Sequence, residues 1–415
     1  MSEPAAPTRF AFASVTALFF GWGFVCANND PLIAAARRVF ALGYTEALLT
    51  QIASFAAFFL LSLPAAAMLA RLGAMRTILA GLAVMAGGCL VMQAMGRLAD
   101  FAVVLAAIFV LASGVTILQV AANPLAAALG PPERSHYRLT LAHSFNALGV
   151  VCGVHFGARF VLADAVFHSP EPIRSAAGRA AGIVAMMQAY LVMALLVAGL
   201  AVLAFAARRA IAAAAMPEPP AAGGAFAALR SRWALRGALG IALYVGAEVT
   251  IGSTLILYLS QAHTLGLPLD VAGAWVANLY WGGALLGRFA GSWLLRFVPA
   301  PRLLLLAGLA AAALCLTSLV LPGGPGAWCL LAVGLCNSIM FPTIFALTLE
   351  RSGTPVAATS GLLVLAVGPG AALPLIAGGI ADTAGLGWAF AVPALAYLYI
   401  AGFAWKARRG PISSG

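Results

Sequence analysis

Of 415 residues, 63% are hydrophobic and only 8% charged, and the mean hydropathy of +1.01 excludes a water-soluble globular domain and a disordered chain alike. The formal charge of +11 raises nucleic acid as a partner, but the basic residues sit in alternate loops and form no contiguous patch, so no nucleic-acid binding is expected. The six cysteines stand in apolar segments without metal-ligand spacing, so no disulfide, metal or other cofactor is expected.

A membrane-crossing helix needs about 20 predominantly apolar residues. Twelve such segments fit the chain, starting near residues 10, 46, 77, 101, 139, 181, 233, 269, 302, 327, 355 and 387. The expected fold class is an all-α membrane protein with 12 transmembrane helices in two pseudo-symmetric six-helix bundles, over residues 1–206 and 233–415. Residues 207–232, with Arg208-Arg209, an Ala- and Pro-containing run, Arg230 and Arg232, form the central loop between them. Most of the 23 lysines and arginines, among them Arg71, Arg76, Arg138, Arg288, Arg302 and Arg351, fall on one side by these boundaries. The positive-inside rule makes that side, with both termini and the central loop, cytoplasmic. Met1 to Thr8 lacks a basic leader region, so the first helix is expected to stay in place.

The first segment ends in Cys26-Ala27-Asn28-Asn29-Asp30-Pro31, which puts a carboxylate below the membrane surface. An ionised Asp near the bilayer centre costs roughly 2.5 to 3.5 kcal/mol on insertion scales, so Asp30 needs a proton, a cation or a wet cavity. Pro31 lacks an N–H and would free backbone carbonyls to line that cavity. Of twelve acidic residues, only Asp30 and Glu248 lie well inside apolar stretches, in the first segment of each half. Pseudo-symmetry would face both toward one central cavity. The alternative for Glu248 is a buried pair with an arginine, and the seventh segment carries none at mid-depth.

Neutral polar groups complete the candidate site. Gln119 and Asn123 share a face of the fourth segment, and His143 and Asn146 share a face of the fifth. The eighth segment adds Asn278 beside Tyr280-Trp281, and the tenth adds Asn337. Amides both donate and accept, which suits sugar hydroxyls, and Trp22, Tyr244 and Trp281 offer faces on which a pyranose can stack. Each of these groups also fits interhelical hydrogen bonding without substrate.

The halves echo each other. Arg71 and Arg76 precede Leu79-Ala80-Gly81-Leu82-Ala83, and Arg296 and Arg302 precede Leu306-Ala307-Gly308-Leu309-Ala310; Glu133-Arg134-Ser135 after Pro124 is matched by Glu350-Arg351-Ser352 after Pro342. Such repeats build two-lobed carriers. Ala121-Ala122-Asn123-Pro124, Leu129-Gly130-Pro131 and Ser144-Phe145-Asn146, with Tyr244-Val245-Gly246-Ala247-Glu248, Gly287-Arg288-Phe289 and Phe341-Pro342-Thr343-Ile344-Phe345, resemble the fucose-galactose-glucose proton symporter family of the major facilitator superfamily. Leu118-Gln119-Val120, Glu248, Tyr280-Trp281-Gly282-Gly283 and Asn337-Ser338-Ile339-Met340 resemble its glucose/galactose permeases more than its fucose symporters.

That resemblance implies a monomeric, proton-coupled importer of a neutral hexose in the bacterial inner membrane, with membrane lipid around it and no enzymatic activity, working by alternating access. It places the family's protonation site on Asp30, while Glu248, singled out by its depth, is a candidate either for a second coupling site or for a standing acceptor of sugar hydroxyls. The polar and aromatic groups at membrane depth make Asn29, Gln119, Asn123, His143, Asn146, Tyr244, Glu248, Asn278, Trp281 and Asn337 the candidate substrate-binding residues. The chain departs from the family pattern at Gln119, which cannot titrate, at His143 and in the loop Ala70-Arg71-Leu72-Gly73, which lacks an aspartate. Two rivals stand beside this reading: a sodium-coupled sugar symporter of the same fold, and an exporter of amphipathic compounds, against which the amides argue.

Overall fold

The computed structural model describes residues 6–28, 49–160, 175–214, 226–267 and 269–409, with Leu32, Ala35, Ala36, residues 38–42 and Ile173. Asn29, Asp30 and Pro31 lie outside the described residues, as do residues 215–225 of the central loop.

Among the described residues, nine helical stretches are long and apolar enough to cross a membrane. One of them, Ile52–Leu98, has 47 residues, about 70 Å of helix against roughly 30 Å of hydrocarbon. It holds two spans. The division falls at Gly73, whose φ of 76° and ψ of 170° interrupt the helix Leu49–Val91; a residue with a Cβ would be strained there. The helix Ser135–Phe160 provides a further span. Another is composite: the α-helix Leu269–Trp275, a π-helical stretch Val276–Trp281 and the α-helix Gly282–Leu294.

In chain order the spans are thus Ala6–Ala27, the two halves of Leu49–Val91, Phe101–Ala128, Ser135–Phe160, Ala176–Ala214, Arg232–Ser260, 269–294, Ala300–Val320, Gly324–Arg351, Val356–Ala384 and Leu386–Arg409. They are numbered one to twelve below. Their boundaries follow local chemistry. Asp100 starts span four by accepting from the Ala102 amide at 2.9 Å, and Ser231 starts span seven by accepting from Ala234. Each satisfies a helix donor that would otherwise lack a partner. The tenth span breaks between Asn337 and Met340, just before Pro342, so carbonyls are released in its middle.

The chain forms two compact units, one of residues 1–130 and 145–225, the other of 131–144 and 226–415. Residues 131–144 group with the second unit through polar contacts. The Ser135 hydroxyl donates to Glu350 at 2.7 Å, the His136 ring lies 3.1 Å from the same carboxylate, and Arg296 donates to the Tyr137 hydroxyl at 2.6 Å while its guanidinium covers the Tyr137 ring. The matched motifs of the two halves find different neighbours. Gly81 packs on span four at Leu118 and Gly114, whereas Gly308 packs on span twelve at Ala401 and Tyr397.

Candidate functional site

In the second unit the site is built around Glu248. Span seven puts Tyr244 one turn before it, and the Tyr244 hydroxyl donates to Glu248 Oε1 at 2.7 Å. The guanidinium of Arg288, from span eight, lies 3.9 Å from the same oxygen, and the two side chains are only 16% and 14% exposed. Arg288 Nε also donates to the Ser338 carbonyl at 3.3 Å, one of the groups released by the break in span ten. One cation therefore ties the acid of span seven to the opened backbone of span ten. This corrects the sequence-based placement of Arg288 among the loop cations, and an arginine from span eight supplies the partner that span seven lacks.

A second chain of hydrogen bonds runs beside the pair. The Asn337 amide donates to the Tyr280 hydroxyl at 2.8 Å, and that hydroxyl donates to the Glu248 backbone carbonyl at 3.2 Å. The buried Asn337 Oδ1 has no hydrogen-bond partner. Tyr280 belongs to the π-helical stretch of span eight, whose extra residue per turn re-aims side chains and often marks functional sites. The same stretch leaves Asn278 and Trp281 exposed, Trp281 by 42%, with the indole edge-on to Tyr280 and lying over Gly252. A Cβ at Gly252 would meet the indole at 2.8 Å, so glycine is what gives Trp281 its seat. Phe341 completes the wall, its ring centroid 6.3 Å from that of Tyr244 and 5.2 Å from that of His143.

In the first unit the amides divide into two kinds. Asn123 is fully buried, and neither its amide nitrogen nor its oxygen has a hydrogen-bond partner. Buried polar groups are nearly always satisfied in native proteins, whereas the Asn123 amide keeps donors and an acceptor that no described protein group uses. Gln119, one turn earlier, is half-buried and makes no hydrogen bond among the described residues. Asn28 is buried, donates to the Phe24 carbonyl at 2.8 Å and has an unpartnered Oδ1. Asn146, in contrast, donates to the Phe19 carbonyl of span one at 2.9 Å. Gly23 permits that approach, since a Cβ there would meet Asn146 Nδ2 at 2.6 Å. Trp22 is buried against Phe19, with ring centroids 4.1 Å apart.

No protein-family model matches the chain. Over 401 residues, covering 94% of this chain and 92% of the relative, it is 40% identical to a glucose/galactose transporter of Brucella abortus. It is 30% identical over 415 residues to the L-fucose-proton symporter of Escherichia coli, covering 95% of this chain and 92% of that one. The crystal structure of a major facilitator superfamily transporter, FucP, in the outward conformation matches with a TM-score of 0.84 and 26% identity over 96% of this chain and 99% of the other. The chain belongs to the fucose-galactose-glucose:proton symporter family.

As a member of that family it is a multi-pass membrane transporter with the twelve-helix fold of the major facilitator superfamily, and it is not an enzyme. The structure brings together Tyr244, Glu248, Asn337 and, through Phe341, His143. It separates two residues that share a helical face, since His143 packs on Phe341 while Asn146 binds Phe19. Sequence reasoning missed three residues that the structure adds around Glu248 and Tyr244: Arg288, the Tyr280 hydroxyl and Phe341. A signal for the first was present, since Arg288 sits in the middle of the apolar run Gly282–Leu294 and an arginine at such depth needs an acidic or carbonyl partner.

Proposed function

We propose that this transporter imports a neutral hexose, glucose or galactose, together with a proton, by alternating access. The observation that carries the proposal is the 40% identity, along nearly the whole chain, to a protein named as a glucose/galactose transporter. The proton is supported by the E. coli relative, which is named as a proton symporter. That name also disfavours sodium as the coupling ion. The orphaned amide of Asn123 and the half-open Gln119 suit a ligand with many hydroxyls, and Trp281 offers it an exposed aromatic face.

The two membrane carboxylates take different roles. Glu248 has a phenol and a guanidinium on one oxygen, so its charge is compensated within the protein and it serves as a standing acceptor for sugar hydroxyls. Coupling falls to Asp30. With Asp30 protonated the loaded carrier closes over its substrate; with Asp30 ionised and the site empty, crossing would carry an uncompensated charge through a dry state. Sugar and proton therefore move together, one of each per cycle. Asn29, Gln119, Asn123, His143, Asn146, Tyr244, Asn278, Trp281 and Asn337 make up the rest of the binding set, with Asn146 acting through its hold on span one.

We further assign residues 1–206 and 233–415 to the two six-helix bundles and 207–232 to a cytoplasmic loop between them. Both termini lie in the cytoplasm, and a monomer in the bacterial inner membrane is the working unit. The test is uptake of labelled hexoses into proteoliposomes with proton and sodium gradients imposed separately. Accumulation of glucose or galactose driven by the proton gradient, and abolished by a protonophore, is expected. Uptake driven by sodium alone, or no uptake of any hexose, would overturn the reading.

A further inference from the structure

The second unit carries, away from the sugar site, a cavity of about 400 Å³ lined by Pro299, Pro301, Arg302, Arg351, Trp405, Ala407, Arg408 and Arg409. Its walls are the first residues of span nine and the last residues of spans ten and twelve, so it opens at one end of the unit, where helices leave the hydrocarbon. Four of its lining residues are arginines. Among the described residues, Arg302, Arg408 and Arg409 form no ion pair, whereas Arg351 stands beside Glu350, an acid that also binds Ser135 and His136. The backbone contributes little. Pro301 has no N–H, and the amides of Arg302 and Leu303 are both directed to the Pro299 carbonyl, so the positive potential comes from the side chains, chiefly those of Arg302, Arg408 and Arg409.

We propose that this cavity binds a phosphate ester, and that in the membrane the ester is the head group of an anionic phospholipid. Arginine forks match phosphate oxygens two at a time. Basic pockets between transmembrane helices at the membrane surface are suited to anionic head groups. Trp405 favours the lipid over a soluble phosphate: its indole is 43% exposed, it lies at the end of a span where interfacial tryptophans sit, and Arg409 stacks on it at 3.8 Å. One face of the site thus meets acyl chain while the arginines hold the charge.

The test uses the full-length protein in two settings. Native mass spectrometry of protein taken from phosphatidylglycerol-containing nanodiscs should show a retained lipid. The R302Q/R408Q/R409Q variant, altered only at exposed positions, should lose it, with lipid affinity falling roughly fivefold per arginine and about a hundredfold for the three. R71Q/R76Q, which removes an exposed basic pair elsewhere, should retain it. Sugar counterflow by the triple variant at the wild-type level shows that it is folded, and is independent of whether the sugar assignment concerns glucose or another hexose. In the second setting, inorganic phosphate is titrated against protein in phosphatidylcholine nanodiscs. Thermal stabilisation by phosphate that disappears in the triple variant, without lipid retention in the first setting, would move the site to a soluble phosphate and overturn the lipid assignment. Lipid retention by the triple variant equal to wild type, or no lipid retention by either protein together with no stabilisation by phosphate, would overturn the site itself.

Discussion

The Glu248–Arg288 pair gives the sharpest prediction, because the two proposed carboxylate roles depend on it. At 3.9 Å and an effective dielectric constant near 20, the pair is attracted by about 4 kcal/mol. Desolvation of both groups offsets much of that, so the net worth of the intact pair is small while the cost of removing one partner is large. Arg288→Gln leaves a buried carboxylate supported by the Tyr244 hydroxyl alone, and Glu248→Gln leaves a buried guanidinium supported by the Ser338 carbonyl. Each single variant should therefore lose about 3 kcal/mol of stability. The double variant, with two neutral amides, should recover part of the loss, giving a coupling of about 1 to 3 kcal/mol. Equilibrium unfolding of the four proteins in mixed micelles measures the cycle. Losses that add to within about 0.5 kcal/mol would show that the two charges do not interact, and the compensated state of Glu248 would fall with them. Sugar binding supplies the functional arm. Glu248→Gln should weaken affinity at every pH between 5 and 8, since a charge-assisted hydrogen bond is roughly twice as strong as a neutral one; wild-type affinity throughout would remove Glu248 from hydroxyl recognition.

Three further outcomes are expected. Asp30→Asn keeps size and polarity but removes the titratable group, so proteoliposomes should lose uphill uptake driven by a proton gradient while counterflow survives; normal accumulation would take coupling away from Asp30. Asn123→Ala should lower sugar affinity by about 1 to 3 kcal/mol with little loss of stability, because its amide has no protein partner to lose; the opposite pattern in calorimetry and unfolding would make it structural. Asn146→Ala should show that opposite pattern, costing about 1 kcal/mol of stability through the lost bond to Phe19, and a fall in sugar affinity without destabilisation would return it to direct contact.

Much of this protein is written in one dimension. A long apolar segment in hydrocarbon satisfies its own backbone groups only as a helix, so runs of apolar residues set the twelve spans, and Glu248 stands out because an acid at that depth needs a partner. The identity of that partner is a different kind of fact. Arg288 lies forty residues away and on another helix, and hydropathy records how deep a residue sits but not which way its helix is turned. For the same reason His143 and Asn146, equivalent by helical spacing, diverge: one meets the Phe341 ring, and the other is drawn to the Phe19 carbonyl across a gap that Gly23 leaves open. The π-helical stretch that exposes Trp281 while burying Tyr280 carries no sequence periodicity of its own. Composition and carboxylate depth thus determined that the chain crosses a membrane and where it keeps its charge. Helix rotation and close packing, which depend on every neighbour at once, decided which groups hold that charge in place and which amides remain open to a ligand.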